Sequence, residues 1–338
     1  MSAQERDPRS AGERVRVFDG HNDLVLRLWQ GQKPRDLDLS TAAEAGFSGG
    51  FFALFQPWGA AVEFPSDAPY AQPLAMELPF ADALGVAQEQ VAVLEQLDVK
   101  IARQRADLRG DEIVAVMHLE GAEAISADCS NLNEWYARGL RSVGLVWSRP
   151  NVFGTGVPFR FPSSGDIGEG LTDAGRQLVK ECARLGLVVD ISHLNEAGFW
   201  DVMRAVDTPV VATHANAHAL CAASRNLTDE QLRAIAASGG VIGITFSVDF
   251  VRQDGRPDQN TPLGAIIDHV EHIADLVGVE HVAFGSDFEG ALLPVGLSGV
   301  EGFPELVSLM HQRGMSNEDI AKVARENWIR VLGDAWRE

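Results

Sequence analysis

The 338-residue sequence predicts an α/β fold of one kind, a (β/α)8 TIM barrel, and three observations carry that expectation. Short apolar runs rich in β-branched residues alternate with amphipathic stretches along nearly the whole chain, as repeated βα units around a parallel sheet require. Eight such runs can be read, near residues 15–20, 50–55, 112–118, 140–146, 187–192, 209–213, 240–246 and 281–285. Five of them deliver a polar side chain just where the apolar run ends: VFDGHND (His21, Asp23), MHLEGAEAI (Glu120), GLVVDISH (His193), VVATHANAHAL (His214) and HVAFGSDFEG (Asp287). In a parallel barrel those positions meet at the carboxyl end of the strands, where loops form the pocket.

The intervening stretches 81–105, 171–185, 195–206, 228–237 and 262–277 read as helices. Thr172 with Asp173, and Thr228 with Asp229 and Glu230, are helix starts in which a side-chain oxygen accepts from an otherwise orphaned N–H. Two segments rich in Pro and Gly, 56–75 and 149–170, break the alternation. Each follows a strand and is expected to be an insertion on the pocket face. No repeat or linker divides the chain, so a single barrel domain is expected over 15–338, preceded by a flexible polar segment, 1–14.

Twenty-eight Lys and Arg against 48 Asp and Glu leave a net charge of −20, which disfavours nucleic acid and anionic membranes and points to a small-molecule partner. The first fifteen residues lack an apolar core of the secretory kind, and no run approaches the roughly 18 apolar residues of a membrane span. Cys129, Cys182 and Cys221 have unrelated spacings, so they read as small buried hydrophobes in a reducing cytoplasm.

His21 and Asp23, two residues apart, can face one ion from the same side of a strand. Glu120 can bridge two cations, one oxygen to each. His193 and His214, 21 residues apart, add two imidazoles about one βα unit from each other. Imidazole and carboxylate donors without cysteine suit zinc or a similar divalent ion in an open, catalytic site. The bland alternatives are that Asp23 and Glu120 cap the following helices and that each histidine is structural. His269 and His272 lie within a helical stretch and are expected to pack there; His118, Asp19 and Asp190 share the strands and can orient a ligand imidazole or serve the core. Asp287 is placed to move protons, and Arg225, followed by Asn226 in ASRNLTDE, to grip a carboxylate through paired hydrogen bonds.

These motifs together resemble the membrane dipeptidase (renal dipeptidase) family of the amidohydrolase superfamily, more closely its soluble bacterial members. The resemblance runs from about Val17 to Leu332 through DGHND, EGAEAI, VDISH, THANAHAL, SRNL, DHVEHIADLVGVEHVAFGSDFEG and ENWIRVL. It implies two zinc ions per chain, His21 and Asp23 on one, His193 and His214 on the other, with Glu120 and a hydroxide between them. It further implies Asp287 as proton shuttle, Arg225 and Asn226 in the substrate site, and a dipeptide substrate, L-Xaa-L-Xaa or L-Xaa-D-Xaa, whose carbonyl the hydroxide attacks. A homodimer is compatible with it. One departure is Trp147 in GLVWSRPN, where the renal enzyme has a histidine that polarises the substrate carbonyl; an indole N–H donates one hydrogen bond but cannot carry a proton across. Glu289 stands where an Asp is usual. The rival readings are another amidase on this scaffold, a β-lactamase or N-acyl amino acid hydrolase, and a catalytically silent metal-binding barrel.

Overall fold

The structure, a computed structural model, describes residues 15–57 and 66–336. The expected flexible segment 1–14 lies outside the described residues, as does the 58–65 portion of the first insertion. Eight parallel strands follow one another around the sheet in chain order: β1 (Val17–Asn22), β2 (Phe47–Phe55), β3 (Val114–Glu120), β4 (Leu140–Gly144), β5 (Val188–Asp190), β6 (Val210–Ala215), β7 (Ile242–Ile244) and β8 (Val282–Phe284). The ring closes where Asn22 pairs with Phe288 and where the Asp287 N–H donates to the His21 carbonyl at 3.0 Å. The expected barrel is the observed one, with strand ends shifted by a few residues.

Alternation along the strands sorts side chains between two apolar clusters. Phe18, Phe51, Val116, Val188, Val211, Val241 and Ala283 fill the barrel interior. Their sequence neighbours Val17, Phe52, Met117, Val189, Val210, Ile242 and Phe284 point outward and pack under the helices. The C-terminal helix Asn327–Ala335 closes the amino end: Trp328 is fully buried, donates its indole N–H to the Phe284 carbonyl at 2.8 Å and meets the Phe51 ring at 5.0 Å. Gly20 makes room for it, since a Cβ there would fall 2.6 Å from the indole.

The helices Asp173–Leu185, Glu196–Ala205, Asp229–Ala237 and Gly264–Val277 match their expected spans, and Thr172 and Thr228 accept from the backbone N–H groups of Gly175 and Gln231 as N-caps. The expected helix 81–105 is shorter, Phe80–Leu94. Its apolar pattern runs on because Lys100–Ile101 forms a short strand beside β3 and Arg105–Leu108 a 3-10 turn. The two insertions meet each other: Tyr70–Ala71 pairs antiparallel with Arg160–Phe161, the Tyr70 and Phe161 rings stack at 6.1 Å, and the Gln72 N–H donates to the Phe159 carbonyl at 2.9 Å. Among the described residues no helix is long and apolar enough to cross a membrane.

Candidate active site

The polar residues gather at the carboxyl end of the strands by different local devices. On β3 strict alternation continues the interior row Val114 and Val116 into His118 and Glu120. His21 sits on β1 and His214 on β6, each within a stretch of irregular register that departs from simple alternation. Asp23 lies beyond the strand at the N-cap position of the helix Leu24–Trp29, but its side chain caps nothing, so neither the same-face argument nor the capping alternative describes it. His193 and Asp287 occupy turns after β5 and β8 with φ of +67° and +63°. Side chains other than glycine rarely adopt that conformation, and only two other described residues share it, Cys129 and Glu289.

The five expected ligands form one buried cluster. Glu120 Oε2 lies 3.6 Å from His21 Nε2, while Oε1 lies 3.0 Å from His193 Nε2 and 3.5 Å from His214 Nε2. Asp23 Oδ2 is 3.7 Å from His21 Nε2, and the His193 and His214 Nε2 atoms are 3.0 Å apart. Two overlapping trios, His21–Glu120–His214 and His21–Asp23–Asp287, each bring their donor atoms within 4.8 Å of one another. Gly290 admits this crowding, because a Cβ there would collide with the carboxylates of Asp23 and Asp287.

This donor set fits metal. Neither ring nitrogen of the fully buried His21 nor Asp23 Oδ1 has a hydrogen-bond partner, a costly arrangement that a cation held between the two residues would relieve. The other two imidazoles are held by their far nitrogens: His193 Nδ1 by Ser148 Oγ at 2.8 Å, His214 Nδ1 by Thr213 Oγ1 at 2.9 Å. Thr213 donates its own proton to Asp190 Oδ2 at 2.7 Å, so it accepts from His214 Nδ1–H and leaves the Nε2 lone pair facing the cluster. Asp190 thus orients an imidazole through an intermediary that sequence reasoning missed, although the Thr-His pair in VVATHAN was the signal for it. Asp19 instead accepts from the backbone and hydroxyl of Ser286, both at 2.7 Å, and fixes the approach to Asp287.

Electrostatics point the same way. Burial, reinforced by Arg225, pushes His193 down to about 3, and burial holds His214 well below the ordinary imidazole range, so both are neutral and able to ligate. Against the penalty of burial, His21 holds Glu120 ionised, and Glu120 and Asp23 in turn hold a proton on His21. Burial lifts Asp287 to about 7, with Asp23 and Glu120 adding to the rise. A divalent cation answers the same negative potential that the His21 proton answers here.

Arg225 is buried beside the cluster, donates to the His214 carbonyl at 3.0 Å and lies 5.7 Å over the Phe250 ring, with Nε unpartnered and no carboxylate in ion-pair distance among the described residues. The Asn226 amide N–H groups donate to the Cys221 and Phe250 carbonyls, both at 2.9 Å, and so fix the turn that carries Arg225, while its Oδ1 is buried without a partner among the described residues. Trp147 stands 5.7 Å from the His193 ring, in an aromatic wall with Phe55 and Phe159. Glu289 clamps a neighbouring loop, one oxygen accepting from the N–H groups of Arg35, Asp36 and Leu37 at 2.8–2.9 Å. His269 accepts from the Ala217 N–H at 3.1 Å and donates to the Val251 carbonyl at 2.9 Å, and His272 meets Asp229 at 3.0 Å, so both are packing residues. The three cysteines are buried and free.

Imidazoles and carboxylates gathered at the carboxyl end of a parallel barrel are the chemistry of the metal-dependent hydrolases. The chain belongs to the membrane dipeptidase family, peptidase family M19, whose model matches residues 7–337. It is a metallo-dipeptidase by that membership. A metallo peptidase from Rhodobacter sphaeroides, liganded with a phosphinate mimic of the dipeptide L-Ala-D-Ala, is 41% identical with a TM-score of 0.91, over 96% of this chain and 100% of that one. The dipeptidase AC, a metallo peptidase of family M19, is 43% identical with a TM-score of 0.92, over 96% and 99%. An uncharacterized Klebsiella pneumoniae protein from the pqqA 5' region is 42% identical, covering 76% of this chain and 98% of its own length.

Proposed function

We propose that the chain is a zinc-dependent dipeptidase with two zinc ions, acting on L-Xaa-L-Xaa and L-Xaa-D-Xaa dipeptides. The observation that carries this reading is Glu120, whose two oxygens face separate imidazoles, His21 on one side and His193 with His214 on the other. His21 and Asp23 would hold one ion, His193 and His214 the other, with the Glu120 carboxylate between. When bound, such a pair acidifies a shared water toward neutral pH and polarises the peptide carbonyl.

The protein's own groups do the rest. Asp287, in a left-handed turn beside Asp23 and the rest of the ligand cluster, takes the proton released on attack and returns it to the departing amine. Arg225 has free donors and, among the described residues, no carboxylate in ion-pair distance, so it receives the substrate's C-terminal carboxylate and sets its distance to the scissile bond. Trp147 lines the chamber beside His193 and offers the substrate at most one N–H donor. The ligand of the R. sphaeroides protein, a mimic of L-Ala-D-Ala, supports including a C-terminal D-residue.

The test is kcat/KM of the zinc-loaded protein on L-Xaa-L-Xaa and L-Xaa-D-Xaa libraries, with N-acetylated versions as controls and metal counted per chain. Selective turnover of the free dipeptides is expected. Preference for the acetylated set would make the chain an N-acyl amino acid hydrolase, and silence on both with two zincs bound would reduce it to a binding barrel.

A further inference from the structure

The segment after β7 carries a charge that the scheme above leaves unused. Asp249, in the short helix Val248–Val251, is 1% exposed, and its Oδ1 is buried with no hydrogen-bond partner among the described residues. Its backbone is held firmly. The Asp249 carbonyl accepts from the Tyr70 hydroxyl at 3.3 Å and the Cys221 thiol at 3.8 Å, and the next carbonyl, Phe250, accepts from Asn216 at 3.1 Å and Asn226 at 2.9 Å. A buried carboxylate with no partner is costly as an anion, and either a proton or an opposite charge relieves it. No Lys or Arg forms an ion pair with it among the described residues, which leaves the position open to a cation carried by a ligand.

Its place says which part of a ligand it meets. Asp249 lies within electrostatic range of Asp287, and its neighbour Phe250 forms the face under the Arg225 guanidinium. In the proposed reading, on which this inference rests, the leaving residue of the dipeptide has its carboxylate at Arg225 and its amine at Asp287. A side chain projecting between them would meet a wall built from the Ser247–Phe250 segment, which carries Phe250 under Arg225 and Asp249 near Asp287. Ser247 Oγ is also buried and unpartnered, which adds a second hydrogen-bond acceptor to that wall. Phe159, stacked on Phe250 at 5.9 Å and 6.3 Å from His193, joins it to the ligand cluster and supplies an apolar flank for an alkyl stem.

We infer that Asp249 is a specificity-determining residue that receives a cationic side chain on the C-terminal residue of the substrate, so that dipeptides ending in lysine, ornithine or arginine are preferred. The charge attracts the substrate's ammonium or guanidinium, and the aromatic flank covers the methylenes that carry it.

The experiment compares kcat/KM for L-Ala-Lys, L-Ala-ornithine and L-Ala-Arg with that for L-Ala-norleucine, the neutral isostere of lysine, in both stereochemistries at the second residue, using the zinc-loaded wild type and Asp249→Asn. The wild type is expected to favour a basic substrate over norleucine by about tenfold or more, in the range of a single charge-assisted contact. Asp249→Asn is expected to abolish that preference while leaving L-Ala-norleucine within about twofold. Equal loss on both substrates, or no basic preference in the wild type, would overturn the inference. Should Asp249→Asn not fold, the wild-type ladder of lysine, ornithine and norleucine decides alone. Turnover of L-Ala-norleucine without basic preference sinks only this inference; silence on every dipeptide sinks the dipeptidase reading and this one with it.

Discussion

At its amino end the barrel interior holds Phe18, Phe51, Val116, Val188, Val211 and Trp328, all buried and apolar; a few residues further along the same strands it holds His21, His118, Glu120, Thr213 and His214, all buried and polar. The lower half is satisfied by its own packing. The upper half retains orphaned nitrogens, crowded carboxylates and left-handed turns at His193 and Asp287. The difference teaches that one tube can be divided into a part that stabilises the fold and a part that is incomplete until something binds.

Breaking the upper half should cost reaction and spare the fold. Glu120→Gln is expected to abolish turnover and lower bound zinc by elemental analysis, with the metal-free protein still folded by circular dichroism. Asp287→Asn is expected to reduce kcat by roughly 10²–10⁴-fold with metal content unchanged; Asn tolerates the left-handed backbone there, so the loss reports the proton and not the turn. Thr213→Val removes the group that fixes the His214 tautomer and is expected to weaken metal binding by about 10–100-fold in a chelator competition.

Breaking the lower half should do the reverse. Trp328→Ala is expected to cost roughly 3–5 kcal/mol in denaturant unfolding while the surviving folded fraction keeps its kcat. A smaller effect sharpens the division through pH. Burial raises Asp19, Asp249 and Asp287 from 3.8 to about 7. The folded protein therefore binds more protons than the unfolded one in that window, so these groups make the chelated protein lose stability as pH climbs from about 4 to about 7. Thermal melts across that range are expected to show the decline, and Asp249→Asn to flatten part of it.

The fold was legible because strand and helix periodicities differ and the strands are apolar enough to stand out. The end of the helix expected at 81–105 was hidden, since a short strand and a 3-10 turn continue its apolar pattern. Among site residues, Glu120 followed from alternation alone, and the family motifs covered His21, His193, His214 and Asp287. Ser148, Thr213 and Asp249 were less accessible, because their roles depend on contacts across strands and loops, such as Thr213 between Asp190 and His214.

The ribbon between Tyr70–Ala71 and Arg160–Phe161 joins two insertions some ninety residues apart in the chain. Lengthening or shortening either one shifts the pairing of the other, so the two cannot drift independently. New substrate preferences in relatives of this barrel should then arise through matched changes in both segments, while the strands beneath stay as they are.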